Sequence, residues 1–389
     1  MKHRVFAMGI GIISGFGYGR LIFWDQLIAN RTAVRASQRL KALGFASPMA
    51  AEIPGISPAK ISHGGDLLIS LSIPALVEAL AQSALSPRDL SGTGFIMGTS
   101  LGGNDSLERM VNGQSESLIV ISELAERLTK FFKLSGPMAI ASAACAASAH
   151  AVSMGFDLVH SGALRACVVG GVDPLVTLTM AGFTGLKVVS KRGARPLDTE
   201  RDGLSLGEAA CYLVLVADTA VADTARTPLA EVLGYGSAND AYHPTSPHPE
   251  GLGAELAMKR AMNMAMLDPE DTDYINLHGT GTVVNDAVEL MAVSRVFTNF
   301  RSPPPPVSSI KGAIGHTLGT AGAIELAATV MALDTGVFPG TFGLMHPMAE
   351  ARHIPMLRSA TRLPHARVAL SNSFAFGGHS ATIAVRKTG

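Results

Sequence analysis

The sequence predicts an α/β protein of two similar halves, and three observations predict it. Strand-like apolar runs alternate with helical patterns along all 389 residues. Two segments close alike: Gly207-Glu208-Ala209-Ala210-Cys211-Tyr212 and Gly378-His379-Ser380-Ala381-Thr382-Ile383 each set a glycine before an apolar terminal strand. Hydrophobic residues make up 47% and charged residues 16% of the chain, which calls for a large buried fraction and for largely parallel sheets covered on both faces. The formal net charge is +0, so overall charge points to no polyanionic partner. The three cysteines, Cys145, Cys167 and Cys211, show no paired or metal-type spacing, and a reducing, cytoplasmic setting is expected.

The elements follow in order. Lys2 and Arg4 before Val5 to Ile13 imitate a signal peptide, but Gly9, Gly11, Gly15, Gly17 and Gly19 break the apolar run. A buried strand entering a glycine turn fits better. A dinucleotide-binding loop is excluded, because Ser14 stands where Gly-x-Gly-x-x-Gly needs its third glycine. Leu21 to Asn30 reads as a helix, and Leu67 to Leu85 as a long helix interrupted at Pro74. Gly92 to Met97 is a strand that runs into Gly98-Thr99-Ser100. Leu118 to Leu134 is an amphipathic helix. Ala166 to Gly171 is a strand, Val172-Asp173 begins an irregular region, and Ala209 to Ala217 is a fully buried strand. A composition change at Ala217 to Pro228 marks the boundary between halves, placed at 1–225 and 226–389. Beyond it come a strand at Leu229 to Tyr235, a helix at Gly253 to Leu267, a strand at Tyr274 to Leu277 and a helix at Asp286 to Phe297. Strands at Val307 to Ile310, Val368 to Ser371 and Ser380 to Val385, with a helix at Gly319 to Leu333, complete the chain.

Chemistry concentrates where strands end. Ala139-Ile140-Ala141 leads through small residues to Cys145 and a helix, which puts a thiol near a helix N-terminus, where a thiolate is favoured. Taken alone, Cys145 is equally compatible with an inert core position. Tyr274-Ile275-Asn276-Leu277 leads into His278-Gly279-Thr280-Gly281-Thr282, and Val307-Ser308-Ser309-Ile310 into Lys311-Gly312-Ala313-Ile314-Gly315-His316. Val368-Ala369-Leu370 leads into Ser371-Asn372-Ser373-Phe374-Ala375-Phe376-Gly377-Gly378. Open α/β sheets build their sites at such carboxyl ends. A cysteine with one histidine suggests acyl transfer; with two, it suggests a step that also stabilises developing negative charge on a thioester. Zinc on Cys plus two His lacks a fourth ligand at normal spacing.

These stretches together resemble the beta-ketoacyl-acyl-carrier-protein synthases, the elongating Cys-His-His condensing enzymes of the thiolase superfamily. The resemblance extends from Phe23-Trp24 through Ala51-Glu52-Ile53-Pro54 and Asp240-Ala241-Tyr242-His243-Pro244 to the terminal Gly-Gly loop. It implies a thiolase-like fold of five αβαβα layers. It also implies that Cys145 takes an acyl group from an acyl carrier protein, with an oxyanion hole formed by the backbone N–H groups of Cys145 and Phe376. His278 and His316 would bind a malonyl thioester and promote its decarboxylation. Lys311 would support them and pair with Glu325, nine positions after His316. Thr280, Thr282 and Phe374 would contact the substrate arm, and Phe376 would gate the site. Asp286 reads as a structural carboxylate. The resemblance implies no cofactor beyond the phosphopantetheine on the carrier, and no nucleic-acid or membrane partner. It implies a homodimer, or a heterodimer with a related subunit, paired along an edge strand near Ala166 to Gly171. Cys145 argues against a chain-length-factor-like partner without a nucleophile. Two histidines argue against a thiolase, which has a second cysteine in place of one of them.

The chain departs from the family at three points: Ala143-Ala144 before the cysteine, Ala375 in place of a loop glycine, and His379-Ser380 in place of threonine and asparagine. Ala375 is expected to restrict the loop, because alanine takes φ > 0 less freely than glycine. The Lys60 to Asp66 segment lacks the strong basic pair expected where the carrier docks.

Overall fold

The computed structural model describes residues 2–56, 67–114, 118–224, 226–300 and 303–389. The Lys60 to Asp66 segment and residue 225, at the expected boundary, lie outside the described residues.

Ten strands form one continuous path. In chain order they are β1 (Val5–Ser14), β2 (Gly94–Gly98), β3 (Met138–Ala141), β4 (Ala166–Asp173), β5 (Ala209–Ala217), β6 (Ala230–Asn239), β7 (Tyr274–Asn276), β8 (Val307–Ser308), β9 (Val368–Phe374) and β10 (His379–Lys387). Their spatial order is β8-β7-β9-β10-β6-β1-β5-β4-β2-β3, with a short hairpin strand, Gly17–Tyr18, added on β1. The main helices are α1 (Leu67–Ser83), α2 (Ile121–Phe132), α3 (Ala147–His160), α4 (Thr177–Gly185), α5 (Leu252–Ala265), α6 (Val283–Phe297) and α7 (Ala321–Thr335).

Strand alternation builds the layers. In β5, Cys211, Leu213 and Leu215 face one core, while Tyr212, Val214 and Val216 face another. The first core holds Val152 and Phe156 of α3 with Ile324 and Leu326 of α7, and it also takes Tyr274 and Ile383 from the other half. The second holds Leu71 and Leu76 of α1 with Leu124 and Leu128 of α2. A third core places Ile275, Leu370 and Ala384 against Met258 of α5 and Leu290 of α6. Two outer helical layers, two sheet halves and a central layer of α3 and α7 make the five expected layers.

The halves repeat each other in detail. The β1–β5 pairing is interrupted between Ala7 and Gly9, and the β6–β10 pairing between Val232 and Gly234. A Cβ on Gly11 would lie 1.8 Å from the Ala75 carbonyl oxygen, and one on Gly236 would lie 1.9 Å from that of Ala257. Gly9 and Gly11, two of the glycines that imitate a nucleotide loop, therefore admit a helix against a strand. β1 and β6 pair antiparallel from Val5↔Val232 to Ala7↔Ala230 and join the halves. Gly11→Ala should cost ~1–3 kcal/mol or more through overpacking. Calorimetry should then find a lower melting temperature, and an unchanged one would mean that α1 can move off β1 freely.

Four expectations need correction. The sheet is mixed: β5 pairs antiparallel with both β1 and β4, and β10 with both β6 and β9, so parallel pairing is confined to the flanks. β4 runs on through Asp173, where Ala209 pairs with it, so no irregular region begins at Val172. β4 also lies between β5 and β2, so Ala166 to Gly171 is no edge; that flank ends at β3, whose Met138 is 38% exposed. A fully apolar strand cannot reveal by pattern alone that it has neighbours on both sides. Pro74 does not interrupt α1, which runs through it. Among the described residues no helix is long and apolar enough to cross a membrane.

Candidate active site

Strand ends from both halves converge on one cavity. Its wall includes Cys145, His278, Thr280, Thr282, His316, Phe374 and Phe376. The cavity encloses about 260 Å³. Lys311 and Glu325 lie behind it, each 1% exposed.

Cys145 follows β3 by a tight turn in which Ala144 takes φ 45. It precedes α3 by two residues and is 5% exposed. The expectation of a thiolate is opposed by burial. Burial pushes the thiol up to about 12, although Lys311 pulls the other way. Burial thus favours the thiol over the thiolate here.

The two imidazoles are held in one tautomer. Lys311 Nζ lies 3.2 Å from His278 Nδ1, and an ammonium can only donate, so Nδ1 accepts and Nε2 carries the proton. The Leu318 N–H donates to His316 Nδ1 at 3.3 Å, which fixes the same assignment there. The rings stand edge to face with centroids 5.3 Å apart. Burial, then Lys311 and then His316, holds His278 well below the usual histidine range; burial and Lys311 do the same for His316. Both are thus neutral donors through Nε2.

Lys311 Nζ also donates to the His278 carbonyl oxygen at 2.6 Å and to Glu325 Oε1, so all three of its protons are used. Burial pushes Glu325 up to about 7, with Lys311 opposing. Glu289 Oε1 and Oε2 accept the His278 and Gly279 N–H groups, each at 2.8 Å, and Asn372 Nδ2 donates to Oε1 at 3.2 Å. Asp286 accepts from the Gly281 and Leu197 N–H groups, which agrees with its structural reading. Thr280 and Thr282 share a hydroxyl contact of 2.9 Å, and Phe374 lies against His278 with centroids 6.0 Å apart.

Sequence reasoning missed the residues that bind the two halves at the site. Asp173, at the end of β4, accepts from the Ser100 N–H at 2.9 Å and from the Gly319 N–H at 2.6 Å. Ser100 Oγ donates to the Ala144 carbonyl oxygen at 2.8 Å, and His316 N–H donates to Ser205 O at 2.7 Å. Asp173 therefore ties the cysteine turn to the loop of His316. Its signal was available, a carboxylate at a strand end like the other site residues, but the reading ended the strand too early. Glu289 was legible only as one turn of helix beyond Asp286.

In the terminal loop, Phe376 stacks on Phe183 of α4 with centroids 5.6 Å apart and planes at 23°. Gly377 and Gly378 take φ 79 and 76. Ala375 sits at φ -138, an extended conformation open to any residue, so it places no strain on the loop as it stands. His379 packs edge-on to His150, with centroids 6.3 Å apart.

Comparison with known proteins agrees with this geometry. The family model described as beta-ketoacyl synthase, N-terminal domain, matches residues 2–220, and that described as beta-ketoacyl synthase, C-terminal domain, matches 229–345. The chain belongs to the beta-ketoacyl synthase family and is an enzyme of that class. It is 32% identical to 3-oxoacyl-[acyl-carrier-protein] synthase 2 of Synechocystis sp., over 99% of this chain and 98% of that protein. It is 32% identical to the tetracenomycin polyketide synthase ketoacyl synthase alpha subunit of Streptomyces glaucescens, over 99% and 97% of the two chains. Among solved structures, the ishigamide ketosynthase/chain length factor superposes with a TM-score of 0.89 at 26% identity, over 100% of both chains.

Proposed function

We propose that the protein condenses an acyl group held on Cys145 with malonyl-acyl-carrier protein, releasing carbon dioxide and a beta-ketoacyl-carrier two carbons longer. The observation that carries this reading is the pair of neutral imidazoles, His278 and His316, each accepting at Nδ1 and so carrying its proton on Nε2, on the wall that also holds Cys145. The Cys145 sulfur attacks the acyl-carrier thioester, and the carrier thiol leaves with the proton. The two Nε2–H groups donate to the malonyl thioester oxygen. As carbon dioxide departs, its bonding electrons form an enolate held by those donors. The enolate carbon attacks the Cys145 thioester, and the cysteine sulfur leaves. Lys311 and Glu325 hold His278 in register. The N–H groups of Cys145 and Phe376 bind the tetrahedral oxyanion, and Thr280, Thr282 and Phe374 hold the arm.

The nucleophile comes from residues 1–225 and the imidazoles from 226–389. The phosphopantetheine arrives with the carrier, so the protein holds no cofactor of its own. A second synthase chain, identical or related, pairs along β3. The setting is cytoplasmic, in keeping with three free cysteines among the described residues.

The test is turnover of acyl-carrier with malonyl-carrier, read as carbon dioxide release and product mass. Absence of both, with no acylation of Cys145, sinks the reading. The same assay carries a pH signature. Depressed histidine pKa values mean that protonation, which would remove no donor but would add repulsion beside Lys311, sets in only below the ordinary range. The histidines should therefore add no inflection near pH 6.5 and should titrate only at lower pH. A half-drop centred at 6.5 that persists in Glu325→Gln, which removes the neighbouring carboxyl pushed up to about 7, would refute neutral imidazoles held by burial.

A further inference from the structure

The face that α4 turns inward runs against the usual pattern. Thr179 and Met180 are buried, at 7% and 0% exposure, whereas Leu178 stands 55% exposed. Phe183 and Thr184 follow one turn later on the same inward side. A helix over an apolar core ordinarily sets its leucines inward and its threonines outward. Departures of this kind collect at functional sites.

The inward hydroxyls are also unpaired. Thr179 Oγ1 and Thr184 Oγ1 are buried and have no hydrogen-bond partner among the described residues. Elsewhere in the chain, helical hydroxyls bond back to the preceding turn. Thr329 Oγ1 donates to the Glu325 carbonyl oxygen at 2.8 Å, and Ser153 Oγ to that of Ala149 at 3.0 Å. A buried hydroxyl without a partner is destabilising, so its place in the fold calls for a group from outside the chain to pair with it.

This face borders the cavity of Cys145. Phe183, one turn after Thr179, is on the cavity wall and stacks on Phe376. Met180, one turn before Thr184, packs in a small apolar cluster with Leu175, Leu204 and Leu318, and Leu204 itself lines the cavity. Thr317 links His316 of the cavity wall to Leu318 of that cluster. It is a third hydroxyl without a partner, 1% exposed. Three unpaired hydroxyls thus surround an otherwise apolar cluster that forms part of the cavity wall.

We propose that the inward face of α4 receives the acyl chain carried on Cys145, and that Thr179 and Thr184 donate hydrogen bonds to oxygen atoms along it, so that the enzyme prefers chains bearing keto or hydroxyl groups over hydrocarbon chains. This rests on the condensing reading of the cavity. A hydrocarbon chain would seal the hydroxyls in without partners, and a site built to pair with oxygen rejects the analogue that lacks it.

The test is the rate of Cys145 acylation, followed by mass spectrometry. The donors are hexanoyl-carrier and two oxohexanoyl-carriers, with the ketone at the third or at the fifth carbon. The native protein should react about tenfold faster with at least one oxohexanoyl-carrier than with hexanoyl-carrier. In the isosteric double variant Thr179→Val with Thr184→Val, that preference should fall to about twofold or less. Equal native rates, a native preference for hexanoyl-carrier, or an undiminished preference in the variant overturns the proposal. So does a variant slowed alike on every donor, which would give the threonines a role in the fold alone. The melting temperature of the variant should match or exceed the native one, because methyl groups replace unpaired hydroxyls. A lower value together with dissociation of a native dimer would assign the hydroxyls to a second subunit and overturn the proposal. If no carrier acylates Cys145, the condensing reading fails by itself. The hydroxyls are then tested by calorimetric titration with hexanoyl- and oxohexanoyl-pantetheine amides, which bind without transfer. Tighter binding of an oxohexanoyl amide, lost in the variant, supports the proposal; equal affinities, or no binding of either, overturn it.

Discussion

Cys145→Ala should abolish condensation while malonyl-carrier still loses carbon dioxide. On the proposed mechanism the two activities use different residues: the sulfur stores the acyl group, and His278 and His316 stabilise the enolate. Without the sulfur no acyl-enzyme forms, and condensation should fall by on the order of 10⁴-fold or more, the scale on which loss of a covalent nucleophile is felt. The imidazoles keep their tautomer, because Lys311 and the Leu318 N–H fix them from behind the cavity. Removing one buried sulfur should cost ~1 kcal/mol, too little to unfold a domain. Acylation followed by mass spectrometry and carbon dioxide release followed in the same sample check both arms. Retained condensation would remove Cys145 from the mechanism, and simultaneous loss of decarboxylation would show that the two steps share the sulfur.

Lys311→Met should be the more damaging change, because it strikes both stability and chemistry. It leaves Glu325 buried without its cation, at a cost of ~3–5 kcal/mol. It also removes the donor that holds His278 Nδ1, so the ring can turn its unprotonated nitrogen to the substrate. Decarboxylation should drop by about 10²–10³-fold, as when one oxyanion donor is lost. The two effects separate in the double variant Lys311→Met with Glu325→Leu, which replaces the pair by apolar groups. Melting temperature should return towards the native value, and carbon dioxide release should not. Recovery of both would mean that the pair acts only by holding the fold.

Much of this was legible in the sequence, for identifiable reasons. Cys145, His278, Lys311 and His316 stand after strands, and a parallel strand delivers its next residues to one edge of the sheet. The pairing of Lys311 with Glu325 followed from resemblance. Nothing in spacing alone brings a strand-end lysine to a helix that begins ten residues later. The antiparallel junction at Val5↔Val232 was hidden, because residues 227 apart (232 − 5) leave no local trace. The rise in the Cys145 pKa was hidden as well: a helix end is visible in sequence, but the burial that outweighs it depends on the whole fold. Ala375 illustrates the opposite limit. The substitution was evident, but its backbone angle, and hence its harmlessness to the resting loop, was not.

Asp173 grips the N–H of Ser100 and the N–H of Gly319 with one side chain, and burial pushes it up to about 6 against the donors that lower it. The turn of Cys145 and the loop of His316 are thereby bolted to a common frame. That clamp lies behind the cavity, whereas the Phe376–Phe183 stack and the glycine pair beside it lie at its wall.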